Sequence, residues 1–207
     1  MSAAVSTFLP FVLSAASTPF MSEAAPTDET LVRDSLAGDD GAFAALIARH
    51  KGRVLGTCSR FARDSQQLDD LGQEVFLRVW RKMRSFRGDA PFEHWLSRIT
   101  ITTCYDFLRR ERRHREQVSL DEMVVEMRDT TVDSAAAAGR ARELLAWGMR
   151  QLTADDQLIL TLLEIEERSV RDIAIATGWS ESNVKVRAFR ARARLKEILT
   201  LTHRHES

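Results

Sequence analysis

The sequence has few of the residues that build disulfide frameworks, metal sites or membrane spans. Its 207 residues include two cysteines, Cys58 and Cys104, and no Cys-x-x-Cys pair. This indicates neither a disulfide framework nor a zinc site, and it predicts two small core residues in a reducing cytosol. No apolar run approaches the roughly 18 residues that span a bilayer, so no membrane insertion is expected. Lys plus Arg equals Asp plus Glu at 30 each, so the net charge points to no particular partner.

Sequence motifs of enzymatic chemistry are also missing. The chain has no Gly-x-Ser-x-Gly, no glycine-rich phosphate loop and no His-Glu-x-x-His, and its five histidines are scattered or terminal. A nucleophile, a base and a stabilising group do not occur together. We therefore predict that the protein is not an enzyme and that it holds no metal or cofactor.

The N-terminal stretch resembles a secretory signal only in part. Residues 8–13 are mostly apolar and small residues follow them, yet no Lys or Arg precedes Arg33. A secretory signal begins with basic residues. We therefore expect residues 1–27 to form a disordered extension, with Met21 as an alternative start.

Helical spacing of apolar residues dominates from Asp28 onward. The first stripe contains Phe43, Leu46, Ile47, His50, Val54, Cys58 and Phe61, and the second contains Leu68, Leu71, Val75 and Val79. After a break at residues 86–91, a third stripe contains Trp95, Leu96, Ile99, Thr103, Phe107 and Leu108. This pattern predicts an all-α domain over residues 28–115, with Trp95 and Phe107 in its core.

A change of composition separates a second helical domain from the first. Residues 116–138 carry six carboxylates against Arg128 alone, a net of five negative charges, which predicts a flexible acidic linker. Residues 139–200 form the second domain, in which Thr153, Ser169 and Ser180 each occupy an N-cap position. Gly178 separates its last two helices, as in a helix-turn-helix. Residues 201–207 are expected to form a tail.

The last predicted helix combines an apolar stripe with a basic face. The apolar stripe consists of Val184, Ala188, Ala191, Leu195 and Ile198, and six basic residues against Glu197 lie between Lys185 and Glu197. The side chains of Ser182, Lys185, Val186, Phe189 and Arg190 project from the other side. Such a helix fits the major groove, where Lys and Arg reach guanine edges or phosphates and Phe meets a thymine methyl. A solvated basic face is the alternative, but the capped helices around a glycine turn favour DNA binding.

Residues 78–115 form a second basic region. They contain eleven Lys or Arg against four carboxylates, with six aromatic residues among them. A basic surface with aromatic rings suits unpaired bases, which stack on the rings. Most aromatic residues at helical spacing belong to a core, so only Phe86, Phe92 and the loop around Gly88 are expected to meet a flipped-out base.

Two stretches of the chain resemble the extracytoplasmic-function members of the sigma-70 family. Residues 69–80, Asp-Asp-Leu-Gly-Gln-Glu-Val-Phe-Leu-Arg-Val-Trp, resemble region 2 of the family, as do residues 85–92, Ser-Phe-Arg-Gly-Asp-Ala-Pro-Phe, and Trp95-Leu96. Asp172-Ile173-Ala174, Gly178, Ser180 and residues 183–192 resemble region 4. The resemblance extends from about residue 28 to residue 199.

The resemblance implies a factor that brings RNA polymerase core to promoter DNA. It assigns polymerase binding to Asp69, Asp70, Gln73, Glu74 and Phe76. It assigns the minus-ten element to Phe86, Arg87, Gly88, Asp89, Phe92, Thr102, Arg109 and Arg110, and the minus-thirty-five element to Ser182, Lys185, Val186, Phe189 and Arg190. The acidic linker would follow the RNA exit path. An anti-sigma factor or another regulator is implied as a further partner, in the cytoplasm.

The chain departs from the family at three positions, and two other interpretations remain. Family members usually have Asn at Thr102, often have an acidic residue at Gln67, and have Arg at Gln157. Thr102 leaves the base preference at the minus-ten element open, and Gln67 removes one carboxylate from the polymerase-binding helix. The first rival is a helix-turn-helix repressor or activator that binds duplex DNA as a two-fold dimer without polymerase. The second is an adaptor with a degenerate sigma fold, which binds polymerase or an anti-sigma factor without reading promoters.

Overall fold

The structure is a computed structural model that describes residues 25–118 and 134–205, and over these residues all regular structure is helical. The chain divides into two compact units, Met1–Cys104 and Tyr105–Ser207, and the boundary falls within one long helix. Most of the predicted N-terminal extension and most of the predicted acidic linker lie outside the described residues. At the two ends of that linker the chain is helical, up to Val118 and again from Ser134.

The first unit contains four α-helices, the last of which continues into the second unit. They are α1 (Asp28–Leu36), α2 (Asp40–Cys58), α3 (Ser65–Lys82) and α4 (Phe92–Val118), with a 3-10 turn at Met83–Ser85. Each of the first three begins at a side chain that accepts a hydrogen bond from the backbone. Thr27 accepts from Thr30 N at 3.3 Å, Asp39 from Gly41 N at 2.8 Å, and Asp64 from Gln67 N at 2.8 Å. These caps satisfy amide groups that the helix itself leaves unpaired.

The core of the first unit follows the predicted stripes. All seven residues of the first stripe are buried, and so are Leu71, Val75 and Val79 of the second. Cys58 and Cys104 form no disulfide and have no exposed surface, as expected of core cysteines. The prediction for Trp95 and Phe107 is wrong, because both rings are only half-buried. The Trp95 ring still packs against two others, with its centroid 5.5 Å from those of Phe86 and Phe92.

An acidic side chain holds α1 on α2. Asp28 Oδ1 accepts from Arg49 Nη1 at 2.6 Å, and Asp28 Oδ2 lies 2.7 Å from Nε2 of the buried His50. Burial of the Asp28 carboxyl raises its pKa, but hydrogen bonds from Arg49 and His50 and their charges lower it further, so the pKa lies below its usual value. The carboxylate therefore remains charged and anchors the start of the first unit.

The second unit contains the last part of α4 and four more helices. These are α5 (Ser134–Gln151), α6 (Ala154–Leu160), α7 (Val170–Thr177) and α8 (Glu181–His205), and α6 ends in a π-helical turn at Thr161–Ile165. The N-caps predicted at Thr153, Ser169 and Ser180 are present, each accepting from the amide three residues later at 3.1 to 3.2 Å. α8 continues past the predicted end near Leu199, so the predicted tail is helical as far as His205.

Arginines of α4 occupy the carboxyl end of α5. Arg112 Nη1 donates to the Leu152 carbonyl oxygen at 2.7 Å, and Arg115 Nη1 donates to that of Arg150 at 2.6 Å. The last carbonyls of a helix have no partner within it, and cations stabilise this negative end of the dipole. Two arginines that the sequence placed in a DNA-binding basic region therefore have an internal role.

Candidate nucleic-acid interface

The turn before α8 has the geometry of a helix-turn-helix. Gly178 adopts φ 77°, a left-handed conformation that glycine takes without steric cost, and its N–H donates to the Ala174 carbonyl oxygen at 2.9 Å. Ser180 then caps α8 by accepting from Asn183 N at 3.2 Å. Val184, Ala188 and Ala191 are buried, so the apolar stripe of α8 faces the second unit as predicted.

The opposite face of α8 is open. Ser182, Lys185, Val186, Phe189 and Arg190 are all exposed, and Phe189 is 74% exposed. Within residues 25–118 and 134–205, no carboxylate pairs with Lys185 or Arg190. An apolar ring and two cations therefore stand together on the outer surface of one helix. The exposure matches the sequence prediction, while the assignment of these residues to the minus-thirty-five element stays a prediction.

Three other arginines of α8 do not belong to that open face. Arg187 pairs with Asp155 and Arg194 with Asp156, both at the start of α6. Arg192 Nη2 lies 2.5 Å from Oε1 of Glu164 in the π-helical turn. The positive charge counted between Lys185 and Glu197 is thus larger than the positive charge that a partner of α8 could bind. Asp155, Asp156 and Glu164 were not among the predicted site residues. For Asp155 and Asp156 there is a recognisable signal, because they stand at the start of a helix that precedes a basic helix.

The loop before α4, residues 86–91, and the first residue of α4 carry two phenylalanines, Phe86 and Phe92, that were predicted to contact a base. Arg87, Gly88 and Asp89 are exposed, and Gly88 has φ 76°, which favours glycine. Phe86 is half-buried. The prediction that Phe92 contacts a base is wrong in this conformation, because its side chain is 1% exposed.

Phe92 instead supports the loop from within the core. Its ring centroid lies 5.5 Å from those of Phe86 and Trp95, and 5.4 Å from that of His50. The Phe86 ring meets the Phe92 ring edge to face, at an interplanar angle of 89°. The half-exposed rings of Phe86 and Trp95 therefore rest on a buried one.

The remaining residues assigned to the minus-ten element lie along α4. Thr102 is half-buried, and its hydroxyl is within 2.9 Å of the Arg98 carbonyl oxygen and 3.0 Å of that of Ile99. Its hydroxyl proton is thus donated to the helix backbone. Arg109 and Arg110, in the part of α4 that belongs to the second unit, are exposed, and the Arg109 guanidinium lies 5.7 Å from the centroid of the Tyr105 ring.

The residues assigned to polymerase binding lie on α3, and one of them is internal. Asp69 and Asp70 are exposed, while Gln73 and Glu74 are half-buried, with Glu74 Oε1 accepting from Arg78 Nη2 at 2.6 Å. Phe76 was predicted on this surface, but its side chain is 8% exposed and packs in the core. It stands one residue after Val75, within the apolar stripe rather than opposite it. Of the residues assigned to polymerase binding, the exposed and half-buried ones on α3 are therefore the polar ones, Asp69, Asp70, Gln73 and Glu74.

Two side chains of α3 explain features that the sequence left open. Gln67 Oε1 accepts from the backbone N–H of Arg63 at 3.1 Å, and the backbone N–H of Gln67 donates to Asp64 Oδ1 at 2.8 Å. This is a variant of the capping box in which the residue before the N-cap is the donor. The amide at this position thus stabilises the helix start. Trp80, which was not among the predicted site residues, is 41% exposed and meets the Phe43 ring edge to face at 4.7 Å. Its spacing of seven residues from Gln73 could have placed it on the same face.

Sites of other chemistry are not seen in the described part of the chain. Its side chains form no group of three or more His, Cys, Asp or Glu that could hold a metal ion. In the same residues, no helix is long and apolar enough to cross a membrane. The exposed basic and acidic helix faces are thus the candidate sites.

Comparisons with known proteins identify the family of the chain. The family model of Sigma-70 region 2 matches residues 46–114, and that of Sigma-70, region 4 matches residues 148–195. RNA polymerase sigma-H factor of Pseudomonas aeruginosa is 31% identical over 180 residues, which cover 83% of this chain and 93% of that protein. ECF RNA polymerase sigma factor SigM of Mycobacterium tuberculosis is 32% identical over 173 residues, 84% of this chain and 85% of that protein.

A solved structure shows the same fold. The structure of CnrH in complex with the cytosolic domain of CnrY is similar with a TM-score of 0.54 and 26% identity, over 84% of this chain and 97% of CnrH. The predictions of an all-α fold and of the family are confirmed. With both region models matched and relatives aligned over most of their length, the chain belongs to the extracytoplasmic-function sigma factors of the sigma-70 family.

Proposed function

We propose that this chain binds core RNA polymerase, recognises minus-thirty-five and minus-ten elements, helps to melt the DNA and starts transcription of a specific set of genes. The observation that carries the proposal is the open face of α8. Phe189 is 74% exposed there and stands beside Lys185 and Arg190, which have no acidic partner in the described residues. An exposed ring between unpaired cations has a cost in water that a DNA groove would relieve.

The minus-thirty-five element is assigned to this face of α8. Lys185 and Arg190 can reach phosphates or guanine edges, and Val186 and Phe189 offer apolar contact to thymine methyl groups. Ser182, in the first turn, lies where the helix amino end meets a phosphate. Because Arg187, Arg192 and Arg194 are paired with acids of the same unit, we expect base reading to depend on the first set and not on the second.

The minus-ten element is assigned to the loop before α4 and to α4 itself. Arg87, Gly88 and Asp89 are exposed, and the half-buried Phe86 would stack on an unpaired base. Phe92 would hold the loop in place without touching DNA. Thr102 donates its hydroxyl proton to α4, so it can only accept from a base or offer its methyl group. Arg109 and Arg110 would contribute phosphate contacts.

Polymerase binding is assigned to the acidic face of α3. Asp69 and Asp70 are exposed, and Gln73 and Glu74 lie one turn further along the same helix. Carboxylates on an open helix face suit a basic partner surface, and they steer association through long-range attraction. Gln67 does not weaken this face, since its side chain is engaged in the capping box.

The proposal includes a regulator and no catalytic role. An anti-sigma factor that covers the polymerase-binding surfaces would control the protein by occlusion. The similarity to CnrH, whose structure contains a second protein, supports such a partner. Sigma factors are regulatory proteins, and we propose that this one acts in the cytoplasm without a cofactor.

In vitro transcription with core polymerase and fragments of the source genome tests the proposed function. The informative variants are Lys185→Ala with Arg190→Ala, and Asp69→Ala with Asp70→Ala. The Lys185 and Arg190 double variant should lower specific transcripts at least tenfold, since a good bidentate base contact is worth about 1 to 3 kcal/mol. The Asp69 and Asp70 double variant should also lower them, because it removes the charges that attract core polymerase. Matched controls are Arg192→Ala with Arg33→Ala, and Glu29→Ala with Asp40→Ala, which change the charge equally at exposed positions outside the two faces.

The outcomes separate the rival interpretations. Transcripts that persist in both test variants would contradict the site assignments. Specific duplex binding without any core-dependent transcript would favour the repressor or activator. Core binding with no promoter selection by the wild type would favour the adaptor.

A further inference from the structure

The carboxylate of Asp155 lies between two side chains of the second unit. The Tyr105 hydroxyl donates to Asp155 Oδ1 at 2.5 Å, and Arg187 binds Oδ2 through Nη1. The side chains of Asp155 and Arg187 are each 32% exposed, whereas those of Arg192 and Glu164 are 56% and 51% exposed. Partly buried charges are screened less than exposed ones. The Asp155 pair is therefore the better fixed of these two ion pairs.

Arg187 is held from three directions. Besides its bond to Asp155, its Nε donates to Asn183 Oδ1 at 2.8 Å, and its guanidinium carbon lies 4.5 Å from the centroid of the Trp179 ring. The Trp179 ring in turn meets that of Tyr105 edge to face at 6.0 Å. A planar guanidinium can bind a carboxylate and stack on an indole at the same time, which Lys cannot do. The first two turns of α8 are thereby fixed to the turn and to α6.

We propose that Asp155 is a positioning residue for the DNA-reading face of α8. The proposal rests on the function proposed above and names a residue that would not touch DNA. Arg187 directly follows Lys185 and Val186 in the chain, so a shift of its backbone displaces both. Recognition side chains must be held within about 0.5 Å of their working geometry to retain specificity. Loss of the Asp155 carboxylate therefore lowers selectivity for the correct sequence.

A different role for Arg187 gives an opposite expectation. If Arg187 were a phosphate-binding cation that Asp155 merely neutralises, removing the carboxylate would strengthen binding to every duplex alike. Selectivity would then stay the same. If Asp155 positions the reading face, removing its carboxylate has two effects. The released Arg187 adds affinity for any duplex, and the displaced Lys185 and Val186 lose affinity for the correct sequence. The ratio of the two affinities is thus the quantity to measure.

The test compares Asp155→Asn with Glu164→Gln in the full-length chain bound to core polymerase. Both substitutions remove one negative charge that pairs with an arginine of α8, so Glu164→Gln is the matched control. The probes are a duplex selected by the wild-type complex from a random pool and an unrelated duplex of the same length. We expect Asp155→Asn to lower the affinity ratio about tenfold, the scale of one base contact, and Glu164→Gln to change it less than twofold. Equal ratios in the two variants would overturn the proposal.

Folding and spectroscopic readouts keep the result interpretable. If Asp155→Asn is unfolded by circular dichroism, Arg187→Lys replaces it, since it keeps the charge and loses the planar stack; an unchanged ratio there also overturns the proposal. Tyr105 is the one tyrosine of the chain. Burial, and the hydrogen bond and charge of Asp155, raise its pKa to about 12. Its absorbance titration should therefore move to lower pH in Asp155→Asn and not in Glu164→Gln.

Failure of the two proposals is distinguishable. If the wild-type complex selects no sequence from the pool, the proposed function fails and the positioning role falls with it. If the wild type selects a sequence and Asp155→Asn retains the full affinity ratio, only the positioning role fails.

Discussion

The two units place a phenylalanine beside basic residues in opposite ways. Phe92 in the first unit is 1% exposed and contacts the rings of His50, Phe86 and Trp95. Phe189 in the second unit is 74% exposed and lies on the face of α8 away from its apolar stripe. Both phenylalanines occur in strongly basic stretches of the sequence. Basic composition therefore does not decide whether a ring meets a partner; the position of the ring relative to the buried stripe does.

Replacing each of the two phenylalanines by alanine should give the largest difference in the free energy of unfolding. Phe92→Ala should lower the free energy of unfolding by about 3 to 5 kcal/mol, because it leaves a cavity under the loop. Phe189→Ala should change it by less than about 0.5 kcal/mol, because the ring touches mostly solvent. Urea unfolding followed by circular dichroism measures both. A stable Phe92→Ala variant would mean that the ring is not part of the core in solution.

The acidic residues that pair with arginines of α8 should differ in how much they contribute to the free energy of unfolding. Asp156 is 3% exposed, and Asp156→Ala should cost about 1 to 3 kcal/mol, since it removes a buried hydrogen-bonded charge. Glu164→Ala breaks an exposed pair and should cost less than about 1 kcal/mol. Thermal unfolding of both variants checks the order. Equal losses of stability in the two variants would show that burial does not determine how much each ion pair stabilises the protein.

Neighbouring arginines of α8 separate DNA contact from internal pairing. Arg190→Ala should reduce the slope of log affinity against log salt concentration by about one, since it removes one phosphate or base contact. Arg192→Ala should leave the slope nearly unchanged, because Arg192 pairs with Glu164. Fluorescence anisotropy with a selected duplex at several salt concentrations gives both slopes. A loss in Arg192→Ala as large as in Arg190→Ala would contradict the division of the basic face.

The first unit has its own acidic anchor, and its contribution should depend on pH. The pKa of Asp28 is lowered in the folded state, so its stabilisation is present above the unfolded value of 3.8 and is lost as the pH falls through the folded value. Asp28→Asn should therefore cost about 1 kcal/mol at pH 7 and much less in acid. Asp34→Asn is the control, because Asp34 pairs with an arginine that is 72% exposed. A cost of Asp28→Asn that stays constant with pH would contradict this account.

Local chemistry made much of the fold predictable. The three caps in the second unit follow from Ser or Thr placed three residues before a free amide, and the turn at Gly178 follows from its conformational freedom. The stripes of α2 and α8 follow from the helical repeat. These features depend on residues within about two turns of each other, and their geometry is fixed by the helix itself.

What the sequence did not reveal depends on contacts between distant residues. Arg187 and Asp155 are 32 residues apart, and Arg192 and Glu164 are 28 apart. Phe92 lies 42 residues from the His50 ring that it meets, at the first position of α4. At a helix start no preceding turn shows which direction is inward, so the prediction for Phe92 was wrong. Phe76 was misplaced because the family resemblance marks a stretch of α3 and does not distinguish its faces.

The π-helical turn at the end of α6 has a consequence for how the chain can vary in length. Its backbone closes with a bond from Glu166 N to the Thr161 carbonyl oxygen at 3.0 Å, one residue wider than an α-helical bond. A π turn of this kind contains one residue more than the α-helix requires. Deleting a single residue within Thr161–Ile165 would let the turn close as ordinary α-helix. The same deletion within α8 would rotate every later side chain by about 100°, so this junction is the place in the second unit where a one-residue deletion should be tolerated best.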